Sequence, residues 1–419
     1  MKKLLFTLIL VIFVTACTSK EADTFSFKSP FQDECIPPLE NFAYYSSGGE
    51  KPGPTPVVQL PLGNWEAVTH IPELSNTEFF GNNTARINFI QRLESGDRIW
   101  VLFEDIDKYR IPFYQIEEDR WKTNEVNELD ITNDLLLFPE LHLDKNEVVW
   151  MALNPTNKDM TLELSLITPL LLTFDELDQQ FKNVLTLQDM STFIPKQKIV
   201  GLSLSHFQSN SKGNLWFFIQ FNSLDQTSEY QLLEYSPSTN SLKRHLQNVQ
   251  LDEQNAASYI ISSTDVLYLL DIQKALVLQY NLATEEISEI RIPSEVKNNG
   301  ELIPSSKLFL DSEQRLWIND NGWLDLSSSD DWHIVIHSPI FIEYQHYGNG
   351  LWGRTRPFFS AETEDGRLWF SSRRGTGWVD PVTGKWCLFS SYPSNVLEDT
   401  KGNLWMVSDG KLYKNDLIK

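Results

Sequence analysis

The side chains best suited to binding a ligand lie in two short segments of the second half of the chain. They are one histidine, two aromatic residues and four arginines, namely His346, Tyr347, Trp352, Arg354, Arg356, Arg373 and Arg374. A guanidinium group donates paired hydrogen bonds to a carboxylate or phosphate, and aromatic rings stack on flat or sugar-like groups. The pattern predicts a pocket for an anionic or carbohydrate-like ligand. A second interpretation stays open, in which Trp352 fills a gap in the fold and the arginines pair with acidic surface residues.

The sequence carries no motif of a known catalytic machinery. It has no phosphate-binding loop, nucleophile elbow, metalloprotease helix or calcium-loop spacing, and its seven histidines are scattered. The three cysteines lack the short cysteine or histidine spacing of a zinc site. We therefore expect no cofactor and no metal. The residues favour a binding protein and leave enzymatic activity uncertain.

The charge balance excludes two classes of partner. The chain has 419 residues with 57 acidic and 35 basic side chains, which gives a formal net charge of −22. A protein that binds nucleic acid needs a basic surface that displaces counterions, and so does one that lies flat on anionic lipid. We expect no nucleic-acid partner. With 41% hydrophobic and 22% charged residues, the chain is expected to form a folded body.

The N-terminus has the features of an export signal. Two lysines precede an apolar run over residues 4–14, which is too short to span a bilayer. The residues that follow resemble the lipobox of bacterial lipoproteins: Val14-Thr15-Ala16-Cys17. The resemblance implies cleavage after residue 16 and a lipid on Cys17, whereas in an ordinary secretory signal Cys17 would be incidental. The lipid predicts an anchored, extracytoplasmic protein of the cell envelope. Because no aspartate follows Cys17 to retain it at an inner membrane, we expect it on the outer membrane if the organism has two membranes.

These features divide the chain into three parts. We predict a signal peptide over residues 1–16, a lipid-anchored tether rich in serine, glycine and proline over 17–56, and one folded body over 57–419. The lipid on Cys17 would make the membrane a partner of that body. Export also permits a disulfide between Cys35 and Cys387, which the sequence leaves undecided.

A recurring sequence motif, the repeat phrase, marks the strands that must position the candidate pocket. A polar turn and an apolar residue precede an aromatic anchor, and the anchors stand 36 to 66 residues apart: Trp100, Trp150, Trp216, Tyr268, Trp317, Trp369 and Trp405. Seven anchors at this spacing predict an all-β chain folded as a seven-bladed β-propeller. Three copies have a glycine three residues before the tryptophan, where a hairpin turn favours positive φ. Twelve of the 13 tryptophans occupy repeat positions and should pack blades together, which leaves Trp352 as the exception.

A second repeated pair predicts how the ring closes. A tryptophan is followed seven residues later by a proline in three places: Trp65 with Pro72, Trp332 with Pro339, and Trp386 with Pro393. The last repeat has no such pair and stops soon after its third strand. We therefore expect residues 64–70 to supply the fourth strand of the last blade, so that no seam stays open between the chain ends.

The repeat phrase is similar to those of two known families. Asp399-Thr400-Lys401-Gly402-Asn403-Leu404-Trp405 resembles the two-component regulator propeller repeat, known from periplasmic parts of bacterial sensor kinases. The run from Gly366 to Lys385 is also similar to repeats of the virginiamycin B lyase family. Both resemblances imply blades. The lyase family works through a histidine and a metal-binding acid at its central face, which we cannot match to residues of this chain.

The predicted blades give the candidate pocket a location. If each blade has strands a to d from the axis outward, the long b–c and d–a loops share one face, and loops on a rigid scaffold are where binding usually occurs. The pocket residues stand in such loops, and residues 175–187 could form a short amphipathic helix there. The sequence thus favours a module that binds a ligand or partner. The alternatives are a propeller lyase or hydrolase acting at the central face and a scaffold subunit that docks on another envelope protein.

Overall fold

A computed structural model describes the chain in segments. These are residues 23–26, 65–67, 85–91, 98–103, 110–115, 118, 120–125, 135–137, 140–157, 164–194, 198–224, 228–251, 258–296, 306–319, 322–327, 332–337, 358–372, 375–383, 386–390, 396–399, 401–408 and 411–415. Within them, no helix has the length and apolar character needed to cross a membrane.

The regular secondary structure of the described residues is almost entirely β-strand. In chain order the strands are β1 Asp23–Ser26, β2 Trp65–Ala67, β3 Ala85–Gln91, β4 Arg98–Phe103, β5 Arg110–Gln115, β6 Arg120–Glu125, β7 Leu135–Leu137, β8 Glu140–Leu143, β9 Val149–Ala152, β10 Pro155–Asn157, β11 Pro169–Asp175, β12 Gln180–Thr186, β13 Ile199–Ser209, β14 Leu215–Ser223, β15 Ser228–Ser236, β16 Ser241–His245, β17 Tyr259–Ile261, β18 Val266–Asp271, β19 Leu276–Asn281, β20 Ile287–Arg291, β21 Leu308–Leu310, β22 Arg315–Ile318, β23 Gly322–Asp325, β24 Trp332–His337, β25 Phe358–Glu362, β26 Leu368–Ser372, β27 Gly375–Val379, β28 Trp386–Ser390, β29 Val396–Glu398, β30 Leu404–Ser408 and β31 Lys411–Asn415. One turn of 3₁₀ helix, Ser294–Val296, follows β20.

The strands form seven sheets in the described residues, which we number I to VII along the chain. Their strand orders are β3-β4-β5-β6 in I, β8-β9-β11-β12 in II, β7-β10-β13-β14-β15-β16 in III, β17-β18-β19-β20 in IV, β21-β22-β23-β24-β1 in V, β25-β26-β27-β28 in VI and β29-β30-β31-β2 in VII. Inner strands of successive sheets pack on one another, from β13 through β17, β21, β25 and β29 to β3 and β8. The sheets therefore radiate from a central axis, as in a β-propeller.

Sheets II and III are joined, which corrects the predicted blade count. The chain leaves β7 of sheet III for β8 and β9 of sheet II, and returns to sheet III in β10. As between other neighbouring sheets, an apolar core fills the space between them, in which Trp150 and Leu171 pack with Leu204 and Phe217. With this joined pair taken as one unit the arrangement is six-bladed, so the prediction of a seven-bladed propeller is wrong. The aromatic anchors mark individual strands. They do not indicate that β7 and β10 belong to one sheet while β8 and β9, which lie between them in the chain, belong to another.

The chain ends meet in sheet VII. Strand β2 runs antiparallel to β31, with Trp65 opposite Asn415 and Ala67 opposite Tyr413. The first strand of the body thus completes the last sheet, and this part of the closure prediction is confirmed. Strand β1 lies within the predicted tether and runs parallel to β24 at the outer edge of sheet V.

A buried hydrogen-bond network in the turn before the tryptophan explains the residues of the repeat phrase. An aspartate six residues before the anchor accepts a hydrogen bond from the indole Nε1 in three sheets: Asp144 from Trp150 at 2.9 Å, Asp311 from Trp317 at 2.8 Å, and Asp399 from Trp405 at 2.9 Å. The same carboxylates accept backbone N–H groups of the turn. One side chain therefore fixes both the hairpin and the anchor, which are buried together.

The anchors and turns are as the repeat predicts. The six tryptophan anchors are at most 4% exposed, which confirms their place between sheets. The predicted positive φ is confirmed at Gly213, Gly366 and Gly402, where it is 78°, 81° and 76°. The same turn position has positive φ in other sheets at residues with a side chain, namely Glu147, Asp265 and Gln314.

The predicted helix over residues 175–187 is wrong. Asp175 ends β11 and accepts the N–H groups of Leu177 and Asp178, which makes a tight turn into β12. Phe181 and Leu185 are buried on one face of β12. A separation of four residues fits the period of a strand as well as that of a helix, and this coincidence caused the error.

Candidate functional site

The predicted pocket lies outside the described residues. This holds for its seven members, His346, Tyr347, Trp352, Arg354, Arg356, Arg373 and Arg374, and also for Cys17 and Cys35. Cys387 lies in β28, of which only the backbone is described. The anionic pocket, the lipid attachment and the disulfide therefore stay predictions.

The described part of the chain offers a different candidate, on the inner strands around the axis. Strand β13 has a bulge between Ser205 and Gln208, and His206 within it has a φ of 57°. His206 is exposed, whereas Leu204 before it is fully buried and Phe207 after it is 5% exposed. A left-handed conformation is unfavourable for a residue with a side chain, and bulges of this kind redirect side chains beside functional sites.

A tyrosine of the next inner strand fixes the bulge. The Tyr259 hydroxyl donates to the carbonyl oxygens of His206 and of Trp216, the latter at 2.8 Å. Burial, and then the charge of Glu140, raise the pKa of Tyr259 well above its ordinary value. The phenol therefore stays protonated and keeps its donor role across the physiological pH range.

The backbone of Lys307, which precedes β21 of sheet V, is also held by hydrogen bonds. The Lys307 backbone N–H donates to Asn319 Oδ1 at 2.8 Å, and the Asn319 N–H donates to the Lys307 carbonyl at 3.0 Å. Asn319 is 1% exposed and has a φ of 49°, so an asparagine suits this position. The adjacent Leu308 N–H donates to Ser258 Oγ at 2.7 Å, which links this segment to the strand that carries Tyr259. The backbone at Lys307 thus has a defined position relative to the bulge.

Electrostatics couple the lysine to the histidine. Partial burial of the imidazole ring, and to a lesser degree the charge of Lys307, lowers the pKa of His206 to about 4. Burial also lowers the pKa of Lys307 below its ordinary value. At neutral pH the pair is a neutral imidazole, able to donate and accept, beside a lysine that is an ammonium donor. We call His206, Tyr259 and Lys307 the axial site.

A second neutral imidazole lies behind the bulge. His142 on β8 stacks on Phe207, with ring centroids 5.7 Å apart and the planes at 27°. Burial lowers the pKa of His142 to about 4, and its Nε2 is buried without a hydrogen-bond partner in the described part of the chain. In that part, no group of three or more histidine, cysteine, aspartate or glutamate side chains is placed to hold a metal. The Lys307 ammonium and the neutral His206 imidazole give the axial site donors for an anionic or hydroxyl-rich ligand.

Sequence reasoning missed the axial site, although one signal for it exists. Leu202 and Leu204 alternate along β13 and face the core, but the next buried apolar residue is Phe207, three positions on. A change of phase within one strand indicates an inserted residue, and so a bulge at His206. Nothing in the sequence indicates that Lys307 lies near it.

A cavity of about 660 Å³ lies at the turns that connect the first and second strands of sheets V, VI and VII. It is lined by Ser312, Ala361, Glu362, Thr363, Glu364, Gly366, Leu397, Glu398 and Asp399. Its carboxylates connect neighbouring sheets: Glu362 accepts the Ser312 N–H and hydroxyl at 2.7 Å, and Glu398 accepts the Glu364 N–H at 2.5 Å. These contacts give the acidic residues a structural role.

Replacing Glu398 with glutamine is expected to stabilise the protein at neutral pH by about 0.5 kcal/mol. Burial, followed by repulsion from Asp365, Glu364 and Asp399, raises the pKa of Glu398. A raised pKa in the folded state means that ionisation costs stability, so the penalty is present above the folded pKa and absent below the unfolded one. Glutamine removes the charge and keeps an oxygen for the Glu364 N–H.

Urea denaturation at neutral pH and below the titration range of glutamate measures this effect. The gain should vanish at the lower pH. A matched control is Glu313→Gln, which changes an exposed glutamate in a turn of sheet V. Equal gains from both variants at neutral pH would attribute the effect to net charge and not to the Glu398 environment.

Three solved structures of low sequence identity are similar to the chain. YCF48 bound to a D1 peptide is 13% identical over 85% of this chain and 96% of that one, with a TM-score of 0.48. A gluconolactonase from Xanthomonas campestris is 11% identical over 80% and 87%, with a TM-score of 0.38. The extracellular domain of BT4673 from B. thetaiotaomicron is 13% identical with a TM-score of 0.34, and the match covers 79% of this chain but only 46% of that one. Likenesses this distant carry no information on ligand or partner.

The family of the chain is not shown by these comparisons. No family model matches the sequence, and no curated protein matches it. The two-component regulator resemblance therefore rests on the repeat residues alone, while the propeller fold rests on the sheets.

Proposed function

We propose that the chain is a lipid-anchored, extracytoplasmic β-propeller that binds an anionic or carbohydrate-like ligand at its axial site. The observation that carries this is the exposed His206, held at positive φ in a bulge of an inner strand. Such a conformation costs about 1–3 kcal/mol and persists where the surroundings enforce it, and outside turns it is a feature of functional sites. The Tyr259 hydrogen bond to the His206 carbonyl is that enforcement.

The chemistry of the axial site favours an anion. A lysine ammonium offers three donors to a carboxylate or phosphate, and a neutral imidazole adds a donor or an acceptor for a hydroxyl group. On a protein with a net charge of −22, an anion needs a local cation to bind. The predicted arginine and aromatic residues would offer a second set of contacts of the same chemistry. The lipid on Cys17 would keep this binding at the membrane, where an envelope protein is a further possible partner.

Replacing Lys307 with methionine is expected to weaken ligand binding by about tenfold to a hundredfold, because a charge-assisted hydrogen bond contributes roughly 1.5–3 kcal/mol. Methionine keeps a long apolar stem in the half-buried position and removes only the ammonium. The ligand is first found by a thermal-shift screen of anionic metabolites and acidic oligosaccharides, since a ligand that binds the folded state raises the melting temperature. Titration calorimetry then compares parent and variant.

The matched control is Lys145→Met, which removes an exposed ammonium from a turn of sheet II. It should bind like the parent. If Lys307→Met binds with unchanged affinity, or if Lys145→Met loses as much, the axial site is not the binding site.

Catalysis at the central face is a second candidate function, favoured by the same histidine. The imidazole is neutral at neutral pH and can accept a proton from a substrate, as a weak base whose pKa is lowered to about 4. His206→Asn tests this, because asparagine tolerates the left-handed conformation and lacks a basic nitrogen. A substrate turned over by the parent and not by the variant, with binding retained, would make His206 a base; turnover that survives the change would exclude that role.

A further inference from the structure

The strand near the N-terminus is docked on the rim of the propeller. β1 runs parallel to β24, the outermost of the four consecutive strands of sheet V, with Asp23 opposite His333 and Phe25 opposite Val335. Pairing of this kind covers the free edge of β24, because it occupies the backbone groups that an edge strand leaves open. The start of the mature chain is therefore attached to one sheet of the ring.

The attachment point is close to the predicted lipid. Only residues 18–22 separate Cys17 from β1. Even fully extended, six residue steps span at most about 20 Å. The longer connection, residues 27–64, follows β1 and leads to β2 in sheet VII. The length of the predicted tether thus lies mostly on the far side of the docking point, where it cannot separate the propeller from the membrane.

We infer that β1 makes the outer edge of sheet V a surface that faces the lipid bilayer. This rests on the proposed lipid at Cys17. Outermost strands lie at the rim of the ring, away from both ends of the axis, so the propeller stands on its rim. Both ends of the central channel, with the axial site between them, then stay open to solvent and accessible to a ligand that diffuses along the membrane.

Energy transfer from two labelled turns to a headgroup dye tests the orientation. The full-length acylated protein, with Cys35 and Cys387 changed to serine, carries a donor fluorophore at Ser327→Cys or at Leu177→Cys. Ser327 is exposed in the turn between the third and fourth strands of sheet V, and Leu177 is 95% exposed in the corresponding turn of sheet II, across the ring. Vesicles of phosphatidylethanolamine and phosphatidylglycerol carry the acceptor. We expect several-fold stronger transfer from Ser327 than from Leu177.

Two variants separate docking of β1 from mere anchoring. Thr24→Pro removes a backbone donor from β1 and disfavours the strand, and a glycine-serine insertion after residue 20 lengthens the link to the lipid. Each should abolish the difference between the two labels. Equal transfer in the parent, or a difference that survives both changes, overturns the inference while the anchor stands. Protein that does not float with vesicles shows instead that the lipid is absent, which overturns the proposed anchoring and this inference with it.

Discussion

Replacing Asp399 with alanine is expected to lower the free energy of unfolding by about 3 kcal/mol, since breaking a buried hydrogen-bonded network is among the costliest single changes. Asp399 is 3% exposed, and its Oδ1 accepts the backbone N–H groups of Lys401 and Asn403 at 2.9 and 2.8 Å. Its Oδ2 accepts the Asn403 side-chain amide at 2.8 Å and the Trp405 indole at 2.9 Å. Alanine leaves these donors in a region from which water is excluded.

Chemical denaturation measures the loss, and the adjacent sheet offers a control. Asp365 also lies in a turn before a tryptophan anchor and accepts the Thr363 hydroxyl and the Arg367 N–H, but it is exposed. Asp365→Ala should cost at most about 0.5 kcal/mol, because water replaces the lost contacts. If the two alanine variants were equally stable, the buried network would not be what holds the turn and the anchor together.

Sheet III provides the opposite change, a substitution that should stabilise. Asn210 stands where the turns of sheets II, V and VII have aspartate, and its single acceptor oxygen binds the N–H groups of Lys212 and Asn214, both at 3.0 Å. The buried Trp216 Nε1 has no hydrogen-bond partner among the described residues, because the Asn210 amide has no second acceptor to offer. Asn210→Asp supplies one and should raise stability by about 1 kcal/mol. A loss of stability on denaturation would show that a further buried carboxylate costs more than the indole hydrogen bond contributes.

The parts of the fold that could be predicted from the sequence depend on local chemistry. The Trp405 anchor and Gly402 stand at fixed distances from Asp399 because one carboxylate binds both the turn and the indole, so the pattern survives in the sequence. The joining of sheets II and III depends instead on the pairing of β7 with β10 and of β10 with β13, which lies further along the chain. The spacing of the anchors does not report which distant strands pair, and for this reason the predicted blade count was wrong.

The axial site was hidden for a similar reason. The sequence does not set His206 apart from the other six histidines; a bulge and a hydrogen bond from Tyr259, which is 53 residues away in the sequence, distinguish it in the structure. Lys307 reaches the same region through the stacking of successive sheets. A phase change in the apolar pattern can indicate the bulge, but only the packing of inner strands shows which side chains gather around it. Predictions of sites on propellers therefore need the structure more than predictions of their blades do.

The largest loss of stability is expected from opening the ring. In sheet VII, β2 covers β31 through the pairs from Trp65 with Asn415 to Ala67 with Tyr413. Deleting residues 57–72 removes β2 and leaves β31 as a free edge between the chain ends. Because each sheet packs only on its neighbours, loss of one contact lets the ring unravel from the seam, and we expect the cooperative unfolding transition to disappear.

Calorimetry and urea denaturation should show a broad, sloping profile for the deletion in place of a single transition. A deletion of equal length over residues 41–56 is the control, since it keeps β1 and β2 and only shortens their connection. Because a deletion can disturb more than one sheet, Glu66→Pro provides a milder test. It removes one donor from the strand opposite Lys414 and should lower stability by about 3 kcal/mol without shortening the chain. A protein without residues 57–72 that melts like the parent would mean that contacts between sheets hold the ring closed and that the shared sheet is dispensable.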